Sequence, residues 1–425
     1  MSVRRASLLA AALSLFAPAV PAQQDTGQLP EVLTRAALLR LVAERSPRLA
    51  VERVGIDAAQ ADRVTAGALP NPTISYGQFR PSGGASTLFD GNRQQAASVD
   101  FPLLLAGQRG ARAEAADQGV LGARARVALA GSELALRAAD LFIGLQAAQE
   151  KTAVLVGAHA EIERAAALIS GRLDSGMASR YDFARVEIEV AAIAVRFADA
   201  RADAAEKSAG LASLLGAPGW RPRAAGVLAP GSEHAPGGMA RDLPALRASL
   251  ASGNPQINAA RREEETARAA VRRAELERWP VPVLSLGRTW TNEPFGAANF
   301  IGLSTEVPLF DSRQGQLSKA QAELRAAERR REALEAEAEV ELARLLDALA
   351  QRRAALERFE RNVDVRSPAL RQMAEDAYRL GRSTVLELID AARTRVDARI
   401  TAIDLRAFAV QQELRILAIT GGLGG

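Results

Sequence analysis

Leu173-Asp-Ser-Gly-Met-Ala-Ser-Arg-Tyr-Asp-Phe183 and Arg379-Leu-Gly-Arg-Ser-Thr-Val-Leu-Glu-Leu388 are two versions of one turn. Each sets a glycine between long stretches of apolar residues at helical spacing, and the two glycines, Gly176 and Gly381, lie 205 residues apart. The same spacing separates Gly110 from Gly315 and Gly216 from Gly421. Upstream, Phe101-Pro102-Leu103 answers Val307-Pro308-Leu309, and Ser75-Tyr76-Gly77 answers Ser285-Leu286-Gly287. A period this long, occurring twice, marks a duplicated half-molecule rather than a solenoid.

Outward from the first turn runs a very long predicted helix, from near Gly107 to about Arg172. Leu134, Leu141, Ala148, Leu155, Ile162 and Ile169 recur along it every seven residues, a seam that calls for a partner helix. At 1.5 Å per residue it is about 100 Å long. A second helix is expected from Ser179 to Leu215, ended by Gly216. Before the second turn, Gln314 to Leu380 reads the same way, with Leu342, Leu349, Leu356, Val363 and Leu370 in heptad register and Pro368 as the expected kink. Thr384 to Ile419 is the last helix. Shorter helices are expected over Thr34–Ala68, interrupted only by Pro47, and over Leu243–Arg278, broken near Gly253-Asn254-Pro255. The helix at 34–68 stacked on the one at 179–215 would match the single long helix in length.

Between these helices the pattern changes to alternation. Asn71–Arg80, Gln94–Leu103, Val281–Thr291 and Ala298–Leu309 read as strands of about ten residues, the length and polarity of strands crossing a bilayer at a tilt. Pro81–Arg93 and Asn292–Ala297 read as loops. The expected domains are therefore a leader at 1–22, a first repeat at 23–216 with strands 71–80 and 94–103 and its turn near 176, a linker at 217–242, and a second repeat at 243–425 with strands 281–291 and 298–309 and its turn near 381.

The leader rests on Arg4 and Arg5, an apolar run from Ala6 to Val20 and small residues before a cut after Ala22, the plan of a secretory signal. Its removal lowers the formal net charge from +4 to +2, and basic and acidic residues interleave along helices, so neither balance nor pattern suits a polyanion such as nucleic acid. There is no cysteine, hence no disulfide and no lipid attachment at a cysteine. Aromatic content is 4% and alanine is abundant, which favours close helix packing. The leader's apolar run is too short to span a bilayer as a helix, and no other window holds a clean run of about 18 apolar residues.

Four amphipathic strands cannot close a barrel, and open sheet edges are not tolerated in lipid. The chain must pool its strands with copies of itself, and three copies supply twelve. The expected fold class is mainly α with a small β part: long α-helical coiled-coil hairpins plus four transmembrane β-strands per chain, in two tandem structural repeats. As a trimer these form a twelve-stranded β-barrel continued by an α-barrel.

This plan resembles the TolC-type outer-membrane efflux channel family over essentially the whole mature chain. The junctions Asp100-Phe-Pro-Leu-Leu-Leu-Ala-Gly-Gln-Arg-Gly110 and Glu306-Val-Pro-Leu-Phe-Asp-Ser-Arg-Gln-Gly315 carry the resemblance, with the two glycine turns. Together with Ala377–Asp390 they are most similar to the cobalt-zinc-cadmium branch. The resemblance implies a passive duct in the outer membrane of a Gram-negative bacterium, with its helical part in the periplasm. Its partners would be two further copies of the chain, a periplasmic adaptor protein, an inner-membrane pump of RND type and outer-membrane lipid. The cargo would be divalent heavy-metal cations, and no cofactor is implied.

The resemblance also assigns residues. Ser175, Gly176, Met177, Leu380, Gly381 and Arg382 would form the tips that meet the adaptor. Glu387 and Asp390, six and nine positions after Gly381 and on one helix face, would line a cation-selective aperture of six carboxylates in a trimer. Asp182 and Tyr378 would be a gating lock between neighbouring hairpins, although the family's partner arginine, two positions after the second glycine, is Ser383 here. Each has a plainer reading beside it: a helix-ending glycine, a solvated acidic face, a packed tyrosine. His159 and His234 read as having no second histidine or carboxylate at ligand spacing, so no metal site is expected. No GxSxG, P-loop or HExxH motif supports catalysis. A duct for drugs or secreted peptides is the alternative within this class, and a periplasmic coiled-coil scaffold without a pore is the alternative outside it.

Overall fold

The computed structural model describes residues 29–79, 94–230, 243–291, 296–364 and 367–423. The expected leader, the loop at 81–93 and His234 lie outside them, as does much of the expected linker. From Glu31 to Gly425 the chain forms one compact unit.

Two helices of the first half carry the duplicated turn: α3 (Gln108–Asp174) and α4 (Arg180–Leu214). In the second half α7 (Gln314–Phe359), a short π-helical segment (Glu360–Asp364) and α8 (Ser367–Arg379) lead to the turn, and α9 (Val385–Ile419) leaves it. The interruption expected at Pro368 falls a turn earlier, in the π-helical segment. Pro368 itself stands in the first turn of α8, where a missing N–H costs nothing.

Leu134, Ala148, Leu155, Ile162 and Ile169 of α3 are buried and Leu141 is half-buried, as the heptad seam requires. Each such leucine or isoleucine contributes about 1.5–3 kcal/mol when fully buried. Buried residues occur on several faces of α3 because it packs against α4 and also against α9.

Four further helices complete the rods: α1 (Arg35–Arg45), α2 (Pro47–Gly67), α5 (Leu243–Gly253) and α6 (Pro255–Leu276). The helical stretch expected over 34–68, with Pro47 as its interruption, is two helices that part at Pro47. Pro47 lacks an N–H and starts α2, and Ser46 before it is held extended at ψ 121°. Only α2 prolongs α4. Gly216, at φ +62°, ends α4 so close to α2 that a Cβ there would lie 2.9 Å from Pro47 Cγ. The second half repeats the splice more tightly. Gly421, at φ +79°, follows α9, and a Cβ on it would lie 2.3 Å from the carbonyl oxygen of Gly253, at the α5–α6 break. The rod of α4 and α2 is about 84 Å of helix beside about 100 Å in α3, so the length match is looser than the sequence suggested.

A parallel pair of short strands, β1 (Val32–Leu33) and β4 (Arg223–Ala224), joins the start of the described chain to the stretch after α4. Gln146 of α3 donates to Ala225 O at 2.8 Å and Ser208 of α4 donates to Pro222 O at 3.3 Å, tying this stretch to the middle of the first hairpin.

The remaining strands are β2 (Thr73–Phe79), β3 (Gln94–Pro102), β5 (Val283–Thr291) and β6 (Ala297–Ser304). They form one antiparallel sheet in the order β2-β3-β5-β6, so the two halves meet at its centre. The strand expected to reach Leu309 stops at Ser304. Ser304 is opposite Val283, and beyond Val283 the partner strand continues into Pro282 and Pro280, which break the ladder. The register sorts most residues by polarity, with Gln78, Gln95, Arg288 and Asn299 on the mainly apolar face and Phe79 and Phe300 on the mainly polar one. Ile74, Val99, Leu286 and Ile301 form one row across all four strands, on the same face as Tyr76, Leu284 and Leu303. On the other face, Thr73, Asp100, Ser285 and Gly302 form a row, followed by Ser75, Ser98, Gly287 and Phe300. The Phe300 ring covers Gly287, where a Cβ would come within 2.2 Å of it. Among the described residues, β2 and β6 each have one edge without a partner strand.

Where the sheet meets the helices the halves are alike but out of the 205-residue register by one. Gly107, at φ +81°, and Arg313, at φ +55°, both precede a helix in the left-handed region, and the following Gln108 and Gln314 each accept from the backbone N–H two residues earlier. The structural partner of Gly315 is thus Arg109 rather than Gly110. Arg313 tolerates the conformation because Asp311 Oδ1 accepts its N–H at 2.8 Å and its guanidinium donates to Glu277 O at 2.6 Å.

Candidate functional site at the hairpin tips

Each helix hairpin ends in the same construction. After α3, Ser175 is the C-cap and Gly176, at φ +71°, turns the chain; Met177 N–H donates to Arg172 O at 2.7 Å and Gly176 N–H to Leu173 O at 3.0 Å. After α8, Leu380 and Gly381, at φ +69°, do the same, with Arg382 N–H on Ala377 O at 2.8 Å and Gly381 N–H on Tyr378 O at 3.1 Å. This double bond pattern is a Schellman motif, which demands a residue tolerant of positive φ.

The next helix then begins with a capping box in both halves. Ser179 Oγ accepts Asp182 N–H at 3.1 Å while Asp182 Oδ2 accepts Ser179 N–H at 3.2 Å. Thr384 Oγ1 accepts Glu387 N–H at 3.3 Å while Glu387 Oε2 accepts Thr384 N–H at 2.9 Å. Ser-x-x-Asp and Thr-x-x-Glu were visible in the sequence as capping signatures and were missed there. The six tip residues, Ser175, Gly176, Met177, Leu380, Gly381 and Arg382, are all exposed, with Met177 73% and Leu380 67% accessible.

Glu387 and Asp390 are also exposed, on the first turns of α9. Both carboxylates have local work. Glu387 closes the capping box, and Asp390 stands near Arg393, whose guanidinium is held above its ordinary pKa first by the hydrogen bonds it donates to Glu189 and more weakly by the charges of Asp397 and Asp390. Arg393 donates to Glu189 with two nitrogens, Nε at 2.8 Å, and Glu189 is buried between α4 and α9.

Asp182 and Tyr378 are not joined. Asp182 is engaged by Ser179, whose Oγ donates to Oδ2 at 2.7 Å. Tyr378 is buried, 5% accessible, in a core shared by the two hairpins with Ile169, Val186 and Ile389. Arg172 of α3 stacks its guanidinium 4.6 Å from the Tyr378 ring centre and donates to Tyr378 O at 3.4 Å and Arg379 O at 3.3 Å. One arginine thereby caps the end of α8 from the other hairpin. Sequence reasoning missed Arg172, because only the fold brings α3 against α8.

His159 Nδ1 lies 3.4 Å from Glu163 Oε2, one turn on. This corrects the expectation that His159 has no carboxylate at ligand spacing. Among the described residues no group of three or more His, Cys, Asp and Glu side chains is placed to hold a metal ion.

The family model described as outer membrane efflux protein matches residues 38–217 and 246–422, one stretch in each half. The cobalt-zinc-cadmium resistance protein CzcC of Cupriavidus metallidurans is 24% identical over 94% of this chain and 95% of its own. The nickel-cobalt-cadmium resistance protein NccC of Alcaligenes xylosoxydans xylosoxydans is 27% identical over 73% of this chain and 69% of its own. Among solved structures, the CmeC outer membrane channel of Campylobacter jejuni superposes with a TM-score of 0.77 at 13% identity, covering 92% of this chain and 86% of that one.

Proposed function

The chain belongs to the outer membrane efflux protein family, and from that premise we propose that it is the passive exit duct of a tripartite efflux system for divalent heavy-metal cations. The family and fold are those of channels rather than enzymes. The observation that carries the duct is the sheet register: it separates a mainly apolar face, fit for lipid, from a mainly polar face, fit for a water-filled lumen, and leaves both outer edges of the four-stranded sheet unpaired among the described residues. Three copies joined edge to edge supply twelve strands and remove every edge. The metal cargo is supported by the names of the two relatives, one of them aligned over nearly the full length of both chains. A periplasmic adaptor and an inner-membrane pump of RND type would bring energy and selection.

The tips are the proposed adaptor contact, supported by their exposure and by their identical construction in both halves, which gives a trimer six near-equivalent docking points. Glu387 and Asp390 are the proposed aperture, supported by their exposure and their shared helix face. For the lock, the support is the position of Tyr378 under Arg172 in the core shared by the hairpins, which makes parting them costly; Asp182 would contribute only by leaving its capping box.

A deletion strain, complemented with the wild-type gene, tests the cargo. Sensitivity to zinc, cobalt or cadmium supports the reading. Sensitivity confined to antibiotics overturns the metal assignment, and a monomer found only in the soluble periplasmic fraction overturns the duct.

A further inference from the structure

The two strand–helix junctions share a plan but not their surroundings. Gln108 and Gln314, 206 residues apart, open α3 and α7 in the same way. At that spacing Pro102, Leu103 and Leu104 correspond to Pro308, Leu309 and Phe310. In the first half, β3 continues to Pro102 opposite Val283, and Leu103 N–H donates to Pro282 O at 2.7 Å. Gln108 is buried, and its Nε2 donates to Trp279 O at 3.5 Å. In the second half, β6 stops at Ser304, short of Pro308, and Leu309 N–H turns back to Val307 O at 2.8 Å. Gln314 is exposed, and Phe310 is 97% accessible where Leu104 is half-buried. The first junction owes its order to the lead from α6 into β5, Trp279-Pro-Val-Pro282. The same pattern stands 210 residues earlier as Leu69-Pro-Asn-Pro72, the lead from α2 into β2. Because β2 and β6 are opposite edges of the sheet, the second junction and this lead meet when two copies stand side by side.

We propose that the second junction of each copy seats on the α2–β2 lead of a neighbouring copy, repeating between chains the contact made within the chain by the first. Carried over at the same register, Leu309 N–H donates to Pro72 O of the neighbour, residues 305–308 extend β6 along residues 73–76, and Phe310 comes opposite Asn71. Leu69, exposed in the single chain, adds apolar surface to the seat. The seat rests on the edge-to-edge assembly proposed above; it fixes the register of that assembly and adds a contact beyond the sheet. Lipid tails would cover Phe310 but offer nothing to the backbone of 305–309, whose counterpart in the first half is paired.

Full-length protein carrying both Asn71→Cys and Phe310→Cys, purified in detergent and mildly oxidised, tests the seat. Covalent dimers and trimers that a reductant dissolves are expected, and each single variant should stay unlinked. Leu104→Cys with Val281→Cys, the corresponding pair inside one chain, should close without linking copies. Sedimentation before oxidation reads the assembly independently. Trimers whose introduced thiols do not link overturn the seat and leave the assembly standing; absence of trimers overturns the assembly, and the seat with it. In unlinked trimers a water-soluble maleimide sorts the alternatives: labelling at position 310 places it in solvent, protection gives it to lipid, and either overturns the seat. Phe310→Ser needs no thiol chemistry. It should lower the temperature at which trimers dissociate while leaving the helical circular dichroism unchanged. If the double cysteine variant does not fold, this variant decides alone, and an unchanged dissociation temperature overturns the proposal.

Discussion

Glu387 serves two ends that ordinary truncation would confuse. Its carboxylate closes the cap of α9 and, in the proposed assembly, faces the aperture. Glutamine keeps an acceptor for the Thr384 N–H and removes the charge. We expect Glu387→Gln with Asp390→Asn to weaken divalent-cation block of single-channel current in planar bilayers while leaving the melting temperature unchanged. Glu387→Ala should lose about 1 kcal/mol of stability as well, the usual cost of an N-terminal cap. Asp140 of α3 makes a prediction of opposite sign. Burial raises its pKa, more than Arg415 at 3.7 Å lowers it, and its Oδ1 has no hydrogen-bond partner among the described residues. With the folded-state pKa above the unfolded one, the folded chain holds the proton more tightly, so this group loses stability as pH rises through that range. Asp140→Asn should therefore raise the melting temperature at pH 7, with the gain vanishing as pH falls below the ordinary carboxylate range. No gain at pH 7 would mean that Arg415 outweighs burial.

The elements divide by how local their causes are. Long helices, strands and the paired glycine turns were legible because heptads, alternation and glycine act over a few residues. The ends of elements were not, where a distant partner sets them: β6 stops because its neighbour runs into prolines, and α7 gives way to a π-helical segment before the proline that was expected to bend it. Arg172 under Tyr378 and Glu189 under Arg393 were invisible for the same reason, since hairpin neighbours cannot be read from spacing within one hairpin. His159 and Glu163 were readable, four residues apart, and were overlooked. The splices give a test at this scale. Gly381 and Gly421 share a positive φ, but only Gly421 has backbone within reach of an added Cβ. Gly381→Ala should cost about 1–2 kcal/mol, the price of the left-handed conformation alone. Gly421→Ala should cost clearly more and loosen the α9–α6 joint, read as faster amide exchange at the end of α9. Equal costs would show that the joint yields.

At the scale of the whole molecule, the duplication supplies two similar hairpins but a sheet that only the two halves together can build, since β3 and β5 pair across them. The capping boxes repeat faithfully, whereas Leu173 stands where the second half has Tyr378 and Arg185 where it has Asp390. Departures from the repeat thus gather behind the second tip. The chain has no cysteine, so cysteines introduced singly on the free edge of β2 or of β6 should leave the chains unlinked, because each faces the other, unsubstituted strand of a neighbouring copy. Combined in one chain at the right register, they should yield covalent trimers on oxidation. Monomeric products at every register would mean that the sheet closes on itself.

The two bare edges also bear on how quickly the protein can mature. A newly exported copy can zip its hairpins alone, at a speed indifferent to how many siblings surround it. The sheet must wait for encounters, so maturation becomes a matter of crowding and dwell time. Diluting the pool of newly made chains should slow the appearance of protease-resistant strands steeply while leaving the helices on schedule, and waiting copies would need a chaperone to shield their edges.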